Sequence, residues 1–532
     1  MRNVEVKRRQ IQMLTNALMI GVLLILGTNT GNMGLLYLAV AIEMSSFVIA
    51  LVSAHMSDVL GKLLRSRFAK HQYRNVMQIK KYVGGIQVFL GILGTLLLLL
   101  LAENLSNGWF ARSHSYYLLL IISPIILLRT LIHILLGYFQ GEGNEFPTVA
   151  VWVARPLFLL ILGLQLSQSF REQGLQVADL LKQEAFQYVY GAMGVAWAMV
   201  ITELILVIAL VLFYVLSHRG GNKKTEEGHK ATDSVRNLIR IILKNRWQPM
   251  LLGILMSLPV WAMLVGINRE SCAVNYDSFV LFYVKAMGFW AILFFLTASL
   301  FLPMHNRAVY ILKNEGSRYA SESLRRAITY ICVVMAFLLG YSLAMSKHIA
   351  KLLSQTEVEL LEGWIRSGAV LLLLVPLLYF MMRLLYLLGK RLLLLAIFGG
   401  CDILYIILTV FAVLKQGLAV ESIIRNLVIY TAVLCLILSF FCCCYFRLGA
   451  ELLMPVVSTA LATALMYVIQ IALKAVLSPH LGNGVTMLVI FVLTGMLYLL
   501  AILLLRIFKD SDLEGLPGGR IFLALGQMLH LY

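Results

Sequence analysis

The sequence predicts an all-α polytopic membrane protein with about fourteen transmembrane helices, counting apolar runs that approach or exceed the roughly 18 residues needed to cross a bilayer. Three observations support this fold class. Of the 532 residues, 61% are hydrophobic and 13% are charged, whereas soluble proteins carry roughly 25% charged residues. The apolar runs recur from Ile11 to Phe508 and leave no space for a large soluble domain. Basic residues concentrate in alternate connections between the runs, which is typical of membrane proteins.

The predicted spans follow one another along the chain, with boundaries placed to within several residues. They lie at 11–28, 34–57, 77–102, 116–138, 146–168, 188–216, 247–267, 278–303, 327–346, 367–389, 392–414, 426–446, 452–475 and 483–505. The first span follows Lys7, Arg8 and Arg9, as the apolar part of a signal peptide would. It leads into Gly27-Thr-Asn-Thr30 rather than a small-x-small cleavage site, so we expect a retained helix.

The distribution of basic residues predicts the orientation of the chain. With the N-terminus placed inside, the connections on that side hold 30 of the 44 Lys and Arg residues, counting Lys80 and Lys81 at the inner end of the third span. This excess is the positive-inside bias that sets orientation during insertion. We therefore expect a multi-pass protein of the bacterial inner membrane with both termini in the cytoplasm. The net charge of +18 then reflects topology and predicts no nucleic-acid partner.

Several motifs of catalysis and metal binding are missing from the sequence. There is no G-x-x-x-x-G-K-[ST] phosphate loop and no H-E-x-x-H motif, which argues against an ATPase and a zinc hydrolase. The seven cysteines show no repeated spacing, so we expect neither a disulfide framework nor a zinc site. We therefore predict a protein that is not an enzyme and that uses no cofactor or metal.

A long polar connection divides the chain into two blocks. It runs over 217–246 and is rich in glycine and charge, as domain boundaries often are. The expected organisation is an N-lobe at 1–216 with six spans, a cytoplasmic linker at 217–246 and a C-lobe at 247–450 with six spans. A final pair of spans at 451–507 and a cytoplasmic tail at 508–532 complete it.

A weak internal repeat supports the two lobes. Arg318 lies 244 residues after Arg74, and Gly389 lies 246 residues after Gly143, in corresponding connections. Duplication of a six-helix unit keeps both copies in the same orientation. A basic amphipathic stretch, 60–68, precedes Arg74, with its leucines and Phe68 on one helical face. We expect it either to lie in the headgroup layer or to gate a substrate path.

Ionisable residues inside the spans are the candidate functional residues. A charge at mid-bilayer costs at least about 2.5–3.5 kcal/mol, so such residues normally face a protein interior or a wet cavity. The candidates for binding a substrate are Arg129, His133, Arg155, Lys285 and Arg383, and those for ion coupling are Glu43, Glu203 and Asp402. Arginine suits phosphate, because its planar fork offers paired donors.

Two interpretations of these charges stay open. Arg129 and His133 are four residues apart and share a helix face, and Arg155 lies at comparable depth in the next span. They would form a cationic wall that Lys285 and Arg383 face from the second lobe. Alternatively, the acidic residues neutralise the cations in ion pairs that only hold helices together.

The segment Leu135–Thr148, LLGYFQGEGNEFPT, carries a resemblance to a known family. It is similar to the G-Y-F-Q-G-x-x-N-x-x-P-T connection of the multidrug/oligosaccharidyl-lipid/polysaccharide (MOP) exporter superfamily, in particular its stage V sporulation protein B and MurJ-like branch. Gly141 and Gly143 would allow a tight turn, and Pro147 can start the next helix. The resemblance implies a MATE/MurJ-like fold of two pseudo-symmetric lobes around a central cavity, working by alternating access.

The resemblance also implies a function, that of a secondary-type membrane transporter or flippase. The family members transport lipid-linked anionic glycans, such as undecaprenyl-pyrophosphate sugars used for cell-envelope polysaccharide or peptidoglycan. Expected partners are that substrate, membrane lipids, and glycosyltransferases or a polymerase of the same pathway. MurJ-type flippases carry arginines on their first two helices, but 11–28 and 34–57 contain none here; Arg129 and Arg155 would replace them, or the substrate differs. The alternatives are a cation-coupled multidrug exporter of the same superfamily and a non-transporting cell-wall scaffold.

Overall fold

A computed structural model describes residues 2–53, 55–110, 113–218, 234–267, 276–315, 317–354, 357–416, 419–446 and 453–505, together with isolated positions at 507, 508, 519, 524 and 527. Helices dominate these ranges, and the described residues include no β-strand. The chain is a multi-pass, all-α membrane protein, as the sequence predicts.

Nineteen α-helices form the described part of the chain. They are α1 (Arg2–Val52), α2 (Met56–Phe68), α3 (Tyr73–Gln78), α4 (Gly84–Glu103), α5 (Ser115–Ile122), α6 (Ile125–Gly141), α7 (Phe146–Leu181), α8 (Ala185–His218), α9 (Val235–Ile267), α10 (Tyr276–Leu281), α11 (Met287–Asn314), α12 (Ser317–Ala344), α13 (Ser346–Leu353), α14 (Val358–Gly368), α15 (Leu371–Leu387), α16 (Arg391–Gln416), α17 (Val420–Phe446), α18 (Leu453–Leu477) and α19 (Asn483–Leu504). Wider π-helical turns join some of them, at Ile79–Val83, Asn104–Trp109 and Phe282–Ala286.

Each predicted span falls on one of these helices or on a pair of them. By length and hydropathy, the described residues contain 12 candidate spans, or 13 when the bent pair α14 and α15 counts as one. One candidate, Val6–Phe68, holds both of the first two predicted spans. Gly31, with φ 67° and ψ 166°, breaks α1 between them. A side chain on Gly27 would collide with Leu35, a residue that a straight helix would place about 12 Å away along its axis, so the chain folds back at Gly31.

One compact unit comprises Leu18–Val280 and Thr409–Leu418; we call it the first unit. Its helices α7 and α8 pack closely, because Gly194 faces the backbone of Leu166. The part of the predicted linker from Val235 onward is helical and opens α9, where buried Leu238 packs with Leu60. The linker residues 219–233 lie outside the described ranges, and the predicted lobe boundaries stay predictions.

The second unit comprises Met1–Ala17, Leu281–Leu408 and Ala419–Tyr532. Its core joins α11, α12, α15 and α17 through large buried side chains, among them Phe301, Phe380 and Phe446. Cys435 and Cys442 are buried there as free thiols, in agreement with a packing role. Cys272 lies outside the described residues.

The internal repeat is visible in the helix boundaries. In the first unit, α5 ends at Ile122 and α6 spans Ile125–Gly141. In the second, α14 ends at Gly368 and α15 spans Leu371–Leu387, each boundary 246 residues later. The turns that follow also match: Gly143 and Gly389 have φ of 89° and 81°, a conformation that glycine adopts without strain. The predicted correspondence at this connection is confirmed.

The amphipathic stretch 60–68 forms most of α2, and protein covers its apolar face. Leu60 and Leu64 are fully buried against Gly137 and Gly141 of α6. The Arg65 guanidinium donates to the carbonyl of Gln140 at 2.6 Å. This face is therefore a packing surface for α6 and is not available to lipid headgroups.

The role predicted for Gly141 is wrong. Gly141 is the last residue of α6, and a Cβ there would lie 2.6 Å from the Cβ of Leu64. The residue is needed for close packing of α2, while Gly143 alone makes the turn. Pro147 lies in the first turn of α7, as predicted.

Candidate functional site

Three helices of the first unit bring Arg129, Arg155 and Glu203 together. Glu203 of α8 is only 2% exposed. The Arg129 Nε on α6 donates to its Oε1 at 2.9 Å, and the Arg155 Nη2 on α7 donates to its Oε2 at 3.0 Å. The Arg155 Nε also lies 2.9 Å from Oε1. Two guanidinium groups thus share one buried carboxylate, and we call this group the arginine–glutamate cluster.

The contacts of this cluster leave binding capacity on the arginines. Each guanidinium carries five N–H donors, and only those facing Glu203 are engaged by it. The side chains of Arg129 and Arg155 are 22% and 20% exposed, so part of each faces open space. With one carboxylate against two guanidinium groups, the cluster has a formal charge of +1. It can therefore accept one further negative charge through charge-assisted hydrogen bonds.

His133 extends the cluster by one helical turn. Its Nδ1 lies 3.1 Å from the Ser53 hydroxyl oxygen, close to the end of α1. This placement agrees with the predicted helix face shared by Arg129 and His133. Both side chains are turned toward the interior of the first unit. Ser53 itself is fully buried. His133 is thus a hydrogen-bonded interior histidine beside two arginines.

Lys285 and Arg383 belong to the second unit. Lys285 lies in the π-helical turn Phe282–Ala286 and is half-buried; its ammonium group has no ion pair or hydrogen bond among the described residues. Arg383 is half-buried on α15, and its charge interacts electrostatically with His305. Both residues therefore belong to the second unit, and their role as substrate contacts stays a prediction.

The two remaining acidic candidates differ in their surroundings. Asp402 of α16 is 2% exposed and accepts a hydrogen bond of 2.7 Å from the Tyr430 hydroxyl of α17. Its second oxygen, Oδ2, is buried without a hydrogen-bond partner among the described residues. Glu43 is half-buried on the second half of α1. Asp402 thus keeps an oxygen that can take a proton or a cation.

The sequence interpretation missed two interior residues of the second unit. His305 on α11 is fully buried, with its ring 4.4 Å from that of Phe380. The predicted span ends at 303, whereas α11 continues to Asn314. His305 was therefore not counted among the residues inside a span. Tyr430 was also missed, since a tyrosine inside an apolar span carries no charge to mark it.

Solved structures give the comparison with known proteins, since no protein-family model and no curated protein matches the chain. The chain is similar to a multidrug resistance MATE family transporter of the MOP superfamily in an inward-facing conformation, with 13% identity and a TM-score of 0.63 over 82% of this chain and 94% of that one. It is also similar to the lipid II flippase MurJ in an inward closed conformation, with 14% identity and a TM-score of 0.60 over 91% of this chain and 98% of that one. The fold is MATE/MurJ-like.

A third structure has the same fold. It is a MOP superfamily transporter from Pyrococcus furiosus, described by the reverse polarity of its binding pocket, with 14% identity and a TM-score of 0.53 over 83% of this chain and 96% of that one. Identities this low establish the architecture only. The MATE/MurJ-like fold that the sequence resemblance implies is confirmed, and the substrate depends on the residues of this chain.

Proposed function

We propose that the chain is a flippase or exporter that moves a lipid-linked anionic glycan across the bacterial inner membrane by alternating access. The arginine–glutamate cluster carries this proposal, because it places an excess positive charge inside a membrane-spanning unit. Such a charge is costly in lipid and normally marks a substrate or ion path. The MATE/MurJ-like fold supports a transporter. The polyprenyl tail would stay in the lipid while the headgroup enters the protein.

The geometry of the cluster suits a pyrophosphate group as the ligand. Guanidinium groups offer paired donors that match phosphate oxygens. Glu203 holds Arg129 and Arg155 in place before a ligand arrives, which lowers the ordering cost of binding. In this proposal Glu203 balances charge and positions the arginines, and Lys285 and Arg383 are separate candidates for substrate contacts in the second unit.

The drive would come from an ion gradient or the membrane potential. Asp402 is the best-placed of the three acidic candidates, because Glu203 is engaged by two arginines and one Asp402 oxygen lacks a partner among the described residues. Protonation or cation binding at Asp402 would compete with the hydrogen bond from Tyr430. Glu43 is the remaining candidate. We also propose that both termini lie in the cytoplasm. Glycosyltransferases or a polymerase of the same pathway would be the protein partners.

A leaflet-accessibility assay tests the role of the cluster. Cells that depend on the chain are supplied with the Arg129→Ala or Arg155→Ala variant, and outer-leaflet glycolipid is measured at matched protein levels. We expect translocation to fall at least tenfold, since one charge-assisted hydrogen bond contributes roughly 1.5–3 kcal/mol. Arg366→Ala is the matched control, because this exposed arginine contacts Glu362 and Ser346 in the second unit and is not part of the cluster. Full translocation by both cluster variants would overturn the proposal.

A cation-coupled multidrug exporter is the second candidate. The likeness to a multidrug resistance MATE transporter, with a TM-score of 0.63, favours it. A binding site for cationic amphiphiles should be acid-rich, but the cluster has two arginines for one carboxylate. A drug-resistance profile of cells that overproduce the chain separates the two candidates: only the exporter predicts increased resistance to cationic dyes.

A further inference from the structure

The first turns of α9 present a basic face that has no acidic partner among the described residues. Arg236, Arg240 and Lys244 follow one another at intervals of four residues, and all three are exposed. Side chains four residues apart lie on one helix face, with Cβ atoms about 5–6 Å apart. Together with Trp247, which is 38% exposed, they line a shallow recess of about 650 Å³.

Packing on the opposite side fixes the orientation of this basic face. Leu238 and Ile242 of α9 are 1% and 7% exposed and belong to one apolar cluster with Met56, Leu60 and Leu64 of α2. The same α2 is anchored on α6. The start of α9 is therefore a docked helix rather than a loose connection, and its cations point away from the protein.

The charges on this face are uncompensated within the described residues. Neither Arg236, Arg240 nor Lys244 has an ion pair or a side-chain hydrogen bond there. Like charges four residues apart destabilise a helix, so a favourable partner outside the described protein is expected. The face also lies directly before the apolar part of α9, at the depth where Trp and basic side chains meet lipid headgroups.

We propose that Arg236, Arg240 and Lys244 bind the headgroups of anionic phospholipids in the leaflet that borders the start of α9. Charge complementarity favours this occupant, because anionic headgroups attract juxtamembrane cations and guanidinium groups pair well with phosphate. Trp247 would anchor the same region at the interface. The bound lipid would hold α9, and through Leu238 also α2, against the membrane surface.

Native mass spectrometry of the full chain in neutral detergent tests this proposal, using titrations with phosphatidylglycerol and phosphatidylcholine. We expect the intact protein to prefer phosphatidylglycerol. Each cation at an anionic surface contributes roughly fivefold, so the Arg236→Gln, Arg240→Gln, Lys244→Gln triple variant should bind this lipid on the order of 100-fold more weakly. An Arg236→Lys, Arg240→Lys variant keeps the charge and should retain most of the affinity. Arg240→Gln alone should lose roughly fivefold and serves if the triple variant is unstable.

The matched control removes three charges elsewhere. Lys182, Lys347 and Lys351 are exposed and lie in connections predicted on the other side of the membrane, so their triple change to Gln should leave phosphatidylglycerol affinity unchanged. Equal affinities of the intact protein for both lipids, or an unchanged affinity in the α9 triple variant, would overturn the proposal. The proposal would also be overturned if the preference for phosphatidylglycerol appeared only in a Glu226→Gln, Glu227→Gln, Asp233→Asn variant. In that case the acidic linker, and not lipid, would bind the basic face of α9.

Discussion

Neutralising Glu203 is predicted to destabilise the first unit more than removing either arginine that contacts it. In the Glu203→Gln variant, Arg129 and Arg155 keep their charges but lose the carboxylate between them. Their Nε atoms each lie 2.9 Å from Glu203 Oε1 and are therefore at most about 5.8 Å apart. At an effective dielectric constant near 20, their repulsion at that distance is about 3 kcal/mol.

This repulsion agrees with the general cost of breaking a buried ion pair by removing one partner, about 3–5 kcal/mol. Arg129→Gln is expected to cost less, about 1.5–3 kcal/mol, because Arg155 and Glu203 remain as a balanced pair. The Arg155→Gln, Glu203→Gln double variant should recover part of the stability lost in Glu203→Gln, since it removes the uncompensated charge as well.

The measurement is the apparent melting temperature of the purified chain in one detergent, followed by fluorescence-detected size exclusion. Glu142→Gln is the control: Glu142 pairs with Lys80 at 2.7 Å near the helix end, where a partly exposed pair contributes about 0–1 kcal/mol. The expected order of melting temperatures is native and Glu142→Gln highest, Arg129→Gln lower and Glu203→Gln lowest. A Glu203→Gln variant as stable as native protein would refute the shared-carboxylate reasoning.

Three further predictions concern packing, a hydrogen bond and pH. Gly141→Leu should displace α2 by collision with Leu64 and lower the stability of the first unit by about 1–3 kcal/mol. The measurement is the rate of proteolysis within 60–68, which should increase; an unchanged rate would contradict this. Tyr430→Phe should cost about 1–3 kcal/mol by removing the hydrogen bond to buried Asp402, measured as a lower melting temperature. Burial, reinforced by nearby lysines, lowers the pKa of His348 below its usual 6.5. Its contribution to stability should therefore be lost as pH falls below about 6.5, and His348→Gln should flatten the melting-temperature profile there, whereas an unaltered profile would refute this.

The sequence predicts the helices well, because a bilayer requires long apolar runs and these runs make up most of the chain. Each of the fourteen runs corresponds to a helix or a helix pair, and the repeat at Gly143 and Gly389 is visible in one offset. The break at Gly31, the bend between α14 and α15 and the π-helical turns have no comparable signal. They depend on how neighbouring helices pack, which hydropathy does not encode.

The candidate site was predictable as a set of residues but not as a geometry. Counting residues from the helix ends placed Arg129 and Arg155 at similar depth, which their shared contact confirms. That both arginines contact Glu203 depends on the rotation of three helices about their axes. The exact end of α11 decided whether His305 was considered, and sequence boundaries are accurate only to a few residues.

The beginning of α9 shows a different limit. The sequence places 217–246 in one polar linker, because its charges outnumber its apolar residues. The structure shows that Leu238 and Ile242 dock the second part of this segment on α2. Val235, Leu238 and Ile242 have helical spacing, a pattern typical of an amphipathic helix, but the charges around them placed the segment in the linker.

Reconstitution of the purified chain in proteoliposomes tests the central claim most directly. The measurement is leaflet exchange of a fluorescent polyprenyl-pyrophosphate sugar, with a neutral polyprenyl glycoside of the same tail as the comparison. We predict translocation of the pyrophosphate lipid, its loss in the Arg129→Ala, Arg155→Ala double variant, and little movement of the neutral lipid. Equal transport of both lipids, or undiminished transport by the double variant, would contradict a pathway built for an anionic headgroup.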